Sequence, residues 1–181
     1  MLISKFGSKD IEEQIKAYED KIGKKLPEPY RSFLCKYNGG ETPNTSFKTD
    51  GVSSDVKVFY GLGNQRYPLD KIELKGESDN IYLPIACDSF GNEIILNFVD
   101  GKVLFYNHEN GEITKIKDSL KEFFDICISE GIKKAALKSV EEREADLISR
   151  GRGSIISEEL RAMWREEIKK NSSINLEEVL L

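Results

Sequence analysis

Few residues of this chain could carry out acid–base or nucleophilic chemistry. His108 is the single histidine among 181 residues, and it lies in a 106–111 stretch whose Asn-rich composition indicates an exposed turn after a strand. A histidine that acts as a base or a metal ligand needs partners, and no cysteine or second histidine accompanies this one. No serine or cysteine can therefore be paired with a base. We predict that the protein is not an enzyme and has no catalytic residues.

The cysteines also argue against a metal site. Cys35, Cys87 and Cys127 are odd in number, lie far apart in the sequence, and form no Cys-x-x-Cys pair. Zinc sites and disulfide frameworks both require closer or even-numbered sets. Because each cysteine has apolar neighbours, we expect small buried thiols.

Two short motifs resemble ligand-binding loops but lack essential parts. Residues 88–93 (Asp-Ser-Phe-Gly-Asn-Glu) gather polar atoms at a hairpin tip, yet a calcium loop needs more ligands. We predict instead that Asp88 accepts hydrogen bonds from backbone N–H groups of its own turn. Residues 61–64 (Gly-Leu-Gly-Asn) lack the third glycine and the Gly-Lys-Ser/Thr of phosphate loops. No metal and no cofactor is expected.

The composition is typical of a water-soluble protein that can fill one hydrophobic core. Hydrophobic residues make up 39% and charged residues 33% of the chain, and the length fits one domain with an appendage. No apolar run approaches the roughly 18 residues of a membrane span. The apolar stretch at the N-terminus is too short for a signal peptide. We expect a cytoplasmic protein without membrane contact.

The net charge of −5 is unevenly distributed. Residues 133–181 contain ten basic and ten acidic residues, so the whole excess lies in residues 1–132, with 17 basic and 22 acidic residues. Phosphate binding needs clustered lysine and arginine, so direct nucleic-acid binding is disfavoured. An acidic domain is compatible with a basic protein partner.

Local patterns predict two N-terminal helices. An apolar stripe at helical spacing runs from Ile11 to Ile22, and Gly23 suits a left-handed end. A break at Leu26 and Pro27 follows, after which Pro29 can occupy the first turn of a second helix. That helix carries a second apolar stripe and is expected to end at residues 39–40 (Gly-Gly). Its stripe consists of Tyr30, Phe33, Leu34 and Tyr37.

The middle of the chain predicts an antiparallel sheet of four to six strands. Residues 42–54 indicate a loop with one short strand near 46–48, and residues 64–80 indicate a loop with a helical turn. Asp-Gly at 100–101 and Asn-Gly at 110–111 are typical of tight hairpins. Residues 93–98 are apolar on both faces, which favours a strand in the centre of the sheet. Residues 113–116 indicate a short edge strand. The remaining predicted strands are 55–60, 82–87 and 102–106.

A helix starting near Asp118 or Ser119 and ending near Gly131 closes this domain over the sheet. The pattern predicts an α+β fold for residues 1–132. Residues 133–181 form a helical C-terminal extension, with a break at 151–153 and a cap at Ser157. Residues 175–178 look like a capping box that opens a short last helix.

The order of these motifs resembles the SUKH superfamily, which includes the fungal Smi/Knr cell-wall regulators and many bacterial immunity proteins. The resemblance covers about residues 10–130. It rests on residues 26–40, on Tyr-Gly-Leu at 60–62, on 83–92 (Leu-Pro-Ile-Ala-Cys-Asp…Gly-Asn), and on 100–103. The segment after Leu62 departs from the family pattern because it has little helical character, and the extension lies beyond the usual domain.

The resemblance implies a non-catalytic protein-binding module. It implies an immunity protein that binds and neutralises a cognate polymorphic toxin, such as a nuclease. A regulatory scaffold or adaptor of the Smi/Knr type is the alternative that it leaves open.

Aromatic residues within an acidic rim are the expected partner contacts, because aromatic anchors in a polar rim are what a protein interface needs. A single helical layer covers one face of a sheet, so we expect some of these rings on an open concave face, with Asp70 and Asp79 also in its rim. On the extension, Trp164 and its helical neighbours either pack back on the domain or form a homodimer or partner contact. The predicted partner-binding residues are Asp55, Tyr60, Tyr67, Asp88, Phe90, Glu93, Tyr106 and Trp164.

Overall fold

A computed structural model of the chain describes residues 1–77 and 80–181. The chain forms two compact units. The first comprises Met1–Gly131 together with Leu176–Leu181, and the second comprises Ile132–Asn175. The last six residues thus return to the first unit, whereas the sequence grouped them with the extension.

The two N-terminal helices form where the apolar stripes predict them. Helix α1 spans Ile11–Ile22 and ends at Gly23, whose φ of 66° is left-handed. Helix α2 spans Glu28–Tyr37, with Pro29 in its first turn. The buried carboxylate of Glu19 links α1 to the segment that leads into α2, because it accepts a hydrogen bond from the Leu26 N–H (3.0 Å).

One antiparallel sheet of nine strands dominates the first unit in the described part of the chain. This α+β architecture confirms the predicted fold class, although the sheet is larger than the expected four to six strands. The strand order is β7-β6-β5-β4-β3-β2-β1-β9, and β8 pairs with β2. The strands are β1 Leu2–Lys5, β2 Gly40–Lys48, β3 Ser53–Phe59, β4 Tyr82–Cys87, β5 Glu93–Asn97, β6 Val103–Tyr106, β7 Ile113–Lys117, β8 Ile128–Ser129 and β9 Glu177–Glu178.

Strand β2 is three times as long as the three-residue strand expected near residues 46–48. Its first half contains Pro43 and Asn44, which are normally turn residues. Asn44 has a φ of 50°, and the pairing register with β3 shifts between Glu41 and Thr45. The strand therefore tolerates turn residues by forming a bulge there.

The closing helix is shorter than predicted. Helix α3 spans Leu120–Ile126, and the chain then leaves helical geometry at Cys127 to form β8. Ser129 explains the change, since its hydroxyl lies 2.6 Å from the Thr45 hydroxyl and accepts a hydrogen bond from the Leu2 N–H. Ile128, which lies within the range of the predicted helix, is consequently in a strand and exposed.

Aromatic rings connect the helices with the sheet. Phe33 of α2, Phe59 of β3 and Phe124 of α3 form a triangle whose ring centroids lie 5.2–5.5 Å apart. All three side chains are buried. Such rings contribute both buried area and favourable tilted contacts, so the core lies between the sheet and these helices.

A short last helix was expected to open at residues 175–178, but the closing segment, residues 176–181, instead contains the short strand β9. Strand β9 pairs antiparallel with β1, opposing Glu178 to Leu2 and Glu177 to Ile3. Val179 enters the hydrophobic core at 8% exposure. An available strand edge and a buried valine override the helix-capping pattern.

The second unit is helical, as predicted. Helix α4 (Val140–Ser149) begins with a capping box between Ser139 and Glu142, and α5 (Glu158–Ser172) begins at the predicted cap, Ser157. Short 3-10 helices cover Lys134–Leu137 and Gly153–Ile155.

A junction of two sequence motifs orders the centre of the first unit. The Asn38 side chain is buried; its amide donates to the Leu62 carbonyl oxygen (3.0 Å) and its oxygen accepts from the Leu62 N–H (2.8 Å). A Cβ on Gly39 would lie 2.4 Å from the Tyr60 carbonyl oxygen, and one on Gly61 2.3 Å from that of Asn38. Residues 38–40 and 60–62 thus pack backbone against backbone.

This packing predicts that one added methyl group at Gly39 lowers the free energy of unfolding substantially. Gly39 and Gly101 have similar left-handed φ values, 74° and 71°, but a Cβ on Gly101 would meet no atom within 4 Å. Gly101→Ala should therefore cost only about 1–2 kcal/mol for the backbone conformation. Gly39→Ala should cost about 3 kcal/mol or more, because a clash is added. Urea unfolding of both variants measures the difference, and equal midpoints would contradict the proposed junction.

Candidate functional site

The turn between β4 and β5 is built around one buried carboxylate. Asp88 is 2% exposed and accepts hydrogen bonds from the backbone N–H groups of Phe90 and Asn92, both at 2.8 Å. It also accepts from the Ser54 hydroxyl at 2.7 Å. The predicted turn role of Asp88 is confirmed. Asp88 was also predicted to contact a partner; its carboxylate is buried within the turn, and the contact role stays a prediction.

Neighbouring segments hold the same turn from two sides. Asp55 of β3 accepts hydrogen bonds from the backbone N–H and the hydroxyl of Ser89. From the β6–β7 turn, the His108 N–H donates to the Asn92 side-chain oxygen (3.2 Å), and the His108 Nδ1 lies 2.9 Å from that oxygen. The turn conformation therefore depends on three stretches of chain.

This fixed turn presents a large apolar side chain to solvent. Phe90 is 74% exposed at its apex. We call Asp55, Ser89, Phe90, Asn92 and His108 the hairpin-tip surface. A rigid aromatic anchor loses little conformational entropy when it is buried by a partner, so this arrangement suits protein binding.

The sequence pointed to Asp55 and Phe90 in this surface but not to His108, which was assigned to an isolated turn. The order of the predicted strands could have placed His108 beside this turn. In an antiparallel meander, alternate turns lie at the same end of the sheet. The β4–β5 and β6–β7 turns are alternate turns, so His108 had to lie near residues 88–92.

Tyr60 and Tyr67 belong to other environments. Tyr60 is 7% exposed, and burial, with the Cys87 thiol beside it, raises its pKa far above the usual range. Tyr60 is thus not part of the exposed surface, and its contact with a partner stays a prediction. Tyr67 is half-buried, stacks on Phe6 at 6.3 Å between ring centroids, and carries the Arg66 guanidinium 5.1 Å from its ring centre.

Glu93 and Tyr106 oppose each other across β5 and β6. Lys75 contacts both side chains: its ammonium lies 2.9 Å from the Glu93 carboxylate and 4.1 Å from the Tyr106 ring centre. Lys75 also exchanges two 2.9 Å backbone hydrogen bonds with Tyr82. Lys75, in the chain before β4, thus lies against two of the residues that were expected on an open face. Asp79, expected in its acidic rim, lies outside the described residues.

In the second unit, Trp164 is half-buried and the Arg143 guanidinium lies 5.9 Å from its ring centre. Arg143 also pairs with Glu167 at 2.8 Å. Met163 beside Trp164 is 67% exposed. Dimerisation through these helices stays a prediction.

Burial makes two of the thiols less reactive. Burial raises the pKa of the Cys87 thiol, and raises that of Cys127 to about 12. Thiols with raised pKa values stay protonated and are weak nucleophiles. Across residues 1–77 and 80–181, no three His, Cys, Asp or Glu side chains come together as a metal-binding group. None of the helices within those ranges has the length and apolar character to cross a membrane.

Comparison with known proteins places this arrangement in a family. A family model described as SMI1-KNR4 cell-wall, SUKH_6, matches residues 12–124. The chain belongs to the SUKH family. The match contains the junction of residues 38–40 and 60–62, the Phe90 turn and His108, and it ends before the second unit.

A curated relative extends this likeness. The chain is 32% identical over 155 residues to the SPbeta prophage-derived uncharacterized protein YokK of Bacillus subtilis (strain 168), an alignment covering 71% of this chain and 80% of the relative. No solved structure matches the chain.

The hydrogen bonds of the hairpin tip predict a local effect of removing its carboxylate. Asp88→Ala leaves the Phe90 and Asn92 N–H groups without their acceptor, which should cost about 1–3 kcal/mol. Hydrogen exchange at these two amides should accelerate more than exchange in β5. Glu109→Ala, which removes an exposed carboxylate in the β6–β7 turn, is the control and should leave exchange unchanged. Unaltered amide protection in Asp88→Ala would refute the anchoring role.

Proposed function

We propose that this SUKH-family protein works by binding another protein and carries out no reaction of its own. The observation that carries the proposal is the 74% exposed Phe90 on a turn held by Asp88, Asp55 and His108. Burying a phenylalanine side chain in an interface is worth about 1.5–3 kcal/mol. Keeping it exposed on an ordered turn is reasonable if a partner covers it.

The more specific proposal is an immunity protein that acts in the cytoplasm against a cognate toxin. Residues 1–132 carry the whole net charge of −5, and Asp55 lies beside Phe90 in the hairpin-tip surface. A toxin that cleaves nucleic acid needs a basic cleft to hold phosphates. Complementary charge would steer such a domain onto this surface and block its cleft.

A regulatory scaffold or adaptor is the second candidate, and the cell-wall description of the matching family model favours it. The gene neighbourhood separates the two. An adjacent gene for a secreted toxin with a variable C-terminal domain supports the immunity role, whereas its absence supports the adaptor.

Phe90→Ala should weaken binding to the neighbouring-gene toxin domain at least ~30-fold, as expected for an interface hot spot of about 2 kcal/mol or more. Titration calorimetry measures the affinity, and survival of cells expressing both proteins measures protection. The matched control is Val99→Ala, because Val99 is equally exposed at 74% in the β5–β6 turn at the opposite end of β5.

The outcomes separate the site from the function. If the toxin kills cells that contain the unaltered protein, the immunity proposal fails. If the unaltered protein protects and Phe90→Ala binds equally well, the immunity role stands but the hairpin-tip surface does not carry it. Unfolding midpoints of both variants should match that of the unaltered chain, since neither side chain is buried.

A further inference from the structure

The edge of the sheet at β1 is completed by a segment that is distant from it in sequence. The closing segment belongs to the first unit, although the 44 residues of Ile132–Asn175 separate it from Gly131. It contributes β9, which pairs only with β1 among the described strands. The first unit therefore has a strand-shaped site that a covalently distant piece of chain fills.

The site recognises both backbone and side chain. The Val179 N–H donates to the Met1 carbonyl oxygen (2.9 Å), which continues the β1–β9 pairing. The Val179 side chain is buried in the core cluster. Lys5 and Glu177 add an ion pair at 2.9 Å. An extended segment with an aliphatic residue at this position is what the site accepts.

Tyr37 at the end of α2 shows that the site is built for this segment. Its side chain is fully buried, yet its hydroxyl accepts a hydrogen bond from the Leu180 N–H (2.9 Å) and lies 3.3 Å from the Glu178 carbonyl oxygen. The Lys36 ammonium donates to the Leu180 carbonyl oxygen (3.2 Å). Departure of the closing segment would remove these hydrogen bonds and uncover the apolar core beneath Val179, so the site favours being refilled.

We propose that two copies of this chain exchange their closing segments, so that β9 of each copy completes β1 of the other. A second copy is the best-matched occupant because its segment has the same residues that fill the site within one chain. Exchange of an identical element creates a dimer with the native contacts retained. This proposal is independent of the proposed function.

The linkage between the units sets the conditions for exchange. A segment tethered in the same chain has an effective concentration in the millimolar range when the tether is short and flexible, and lower when it is long. The closed monomer should dominate at micromolar protein. Refolding at about millimolar concentration should give the exchanged dimer, because the segment then meets both sites at similar rates.

Two chains test the exchange, each with one introduced cysteine in a background whose Cys35, Cys87 and Cys127 are replaced by alanine, as in the control chains. Leu2 and Glu178 oppose each other next to the pairing of Met1 with Val179, which makes them the closer type of antiparallel pair, ~4.5 Å between Cα atoms. This separation permits a disulfide. A disulfide between a Leu2→Cys chain and a Glu178→Cys chain at this pair can form only if β9 of one chain lies on β1 of the other.

The control uses a pair that a short hairpin joins. Lys48 and Ser53 oppose each other beside the Thr49–Val52 turn, and both are exposed. Their exchange would require opening the interior of the sheet. Equimolar mixtures of each pair of chains are refolded at about millimolar concentration and oxidised. Non-reducing gels should show at least ten-fold more cross-linked dimer for Leu2→Cys with Glu178→Cys than for Lys48→Cys with Ser53→Cys.

Further measurements make each outcome decisive. The double variant Leu2→Cys/Glu178→Cys should cross-link within one chain at micromolar concentration, which verifies the geometry. If it does so and the mixed chains give no more dimer than the control, the proposal is overturned. Light scattering of the unaltered chain after concentrated refolding should show a species of twice 20.6 kDa, absent in Val179→Asp. A mass of 20.6 kDa throughout would also overturn it.

Discussion

The fold depends on a close approach of two backbones. Residues 38–40 turn the chain from α2 directly into β2, with positive φ values of 52°, 74° and 154° in succession. They pass so close to residues 60–62 that no Cβ fits at Gly39 or Gly61. The Asn38 side chain replaces backbone pairing there with its own hydrogen bonds to Leu62. The contact between residues 38–40 and 60–62 therefore fixes where the chain goes after α2 and after β3.

That contact determines which surfaces remain open. It directs residues 61–77 back over the sheet, where Leu69 is buried and Lys75 pairs with Glu93. Leu69 of this segment joins the core cluster that the helices also fill, whereas Lys75 lies against Glu93 and Tyr106. The ends of the sheet are left for binding, in keeping with the general placement of functional residues on loops held by a rigid scaffold. Phe90 occupies such an end, and its turn is ordered by polar contacts rather than by burial.

Sequence order and spatial order diverge at the end of the chain. The closing segment takes up the far edge of the sheet and supplies the hydrogen bonds of the Tyr37 hydroxyl. A linear division at residue 132 would assign those residues to the helical extension. The stability of the first unit thus depends on residues that follow the second unit in sequence.

Local patterns by themselves determined α1, α2, the strands β4 to β6 and the Asp88 turn, because helix periodicity, proline and glycine at helix ends, and Asp-Gly turns act within a few residues. The order of those motifs also identified the family. Tertiary structure alone decided the very short strands β8 and β9, since two residues carry no periodicity and pair only where an edge is offered. It also decided that Tyr60 and Asp88 are buried while Phe90 is exposed. Exposure depends on neighbours far along the chain, such as Lys75 over Tyr106 or His108 beside Asn92, and no local pattern contains them.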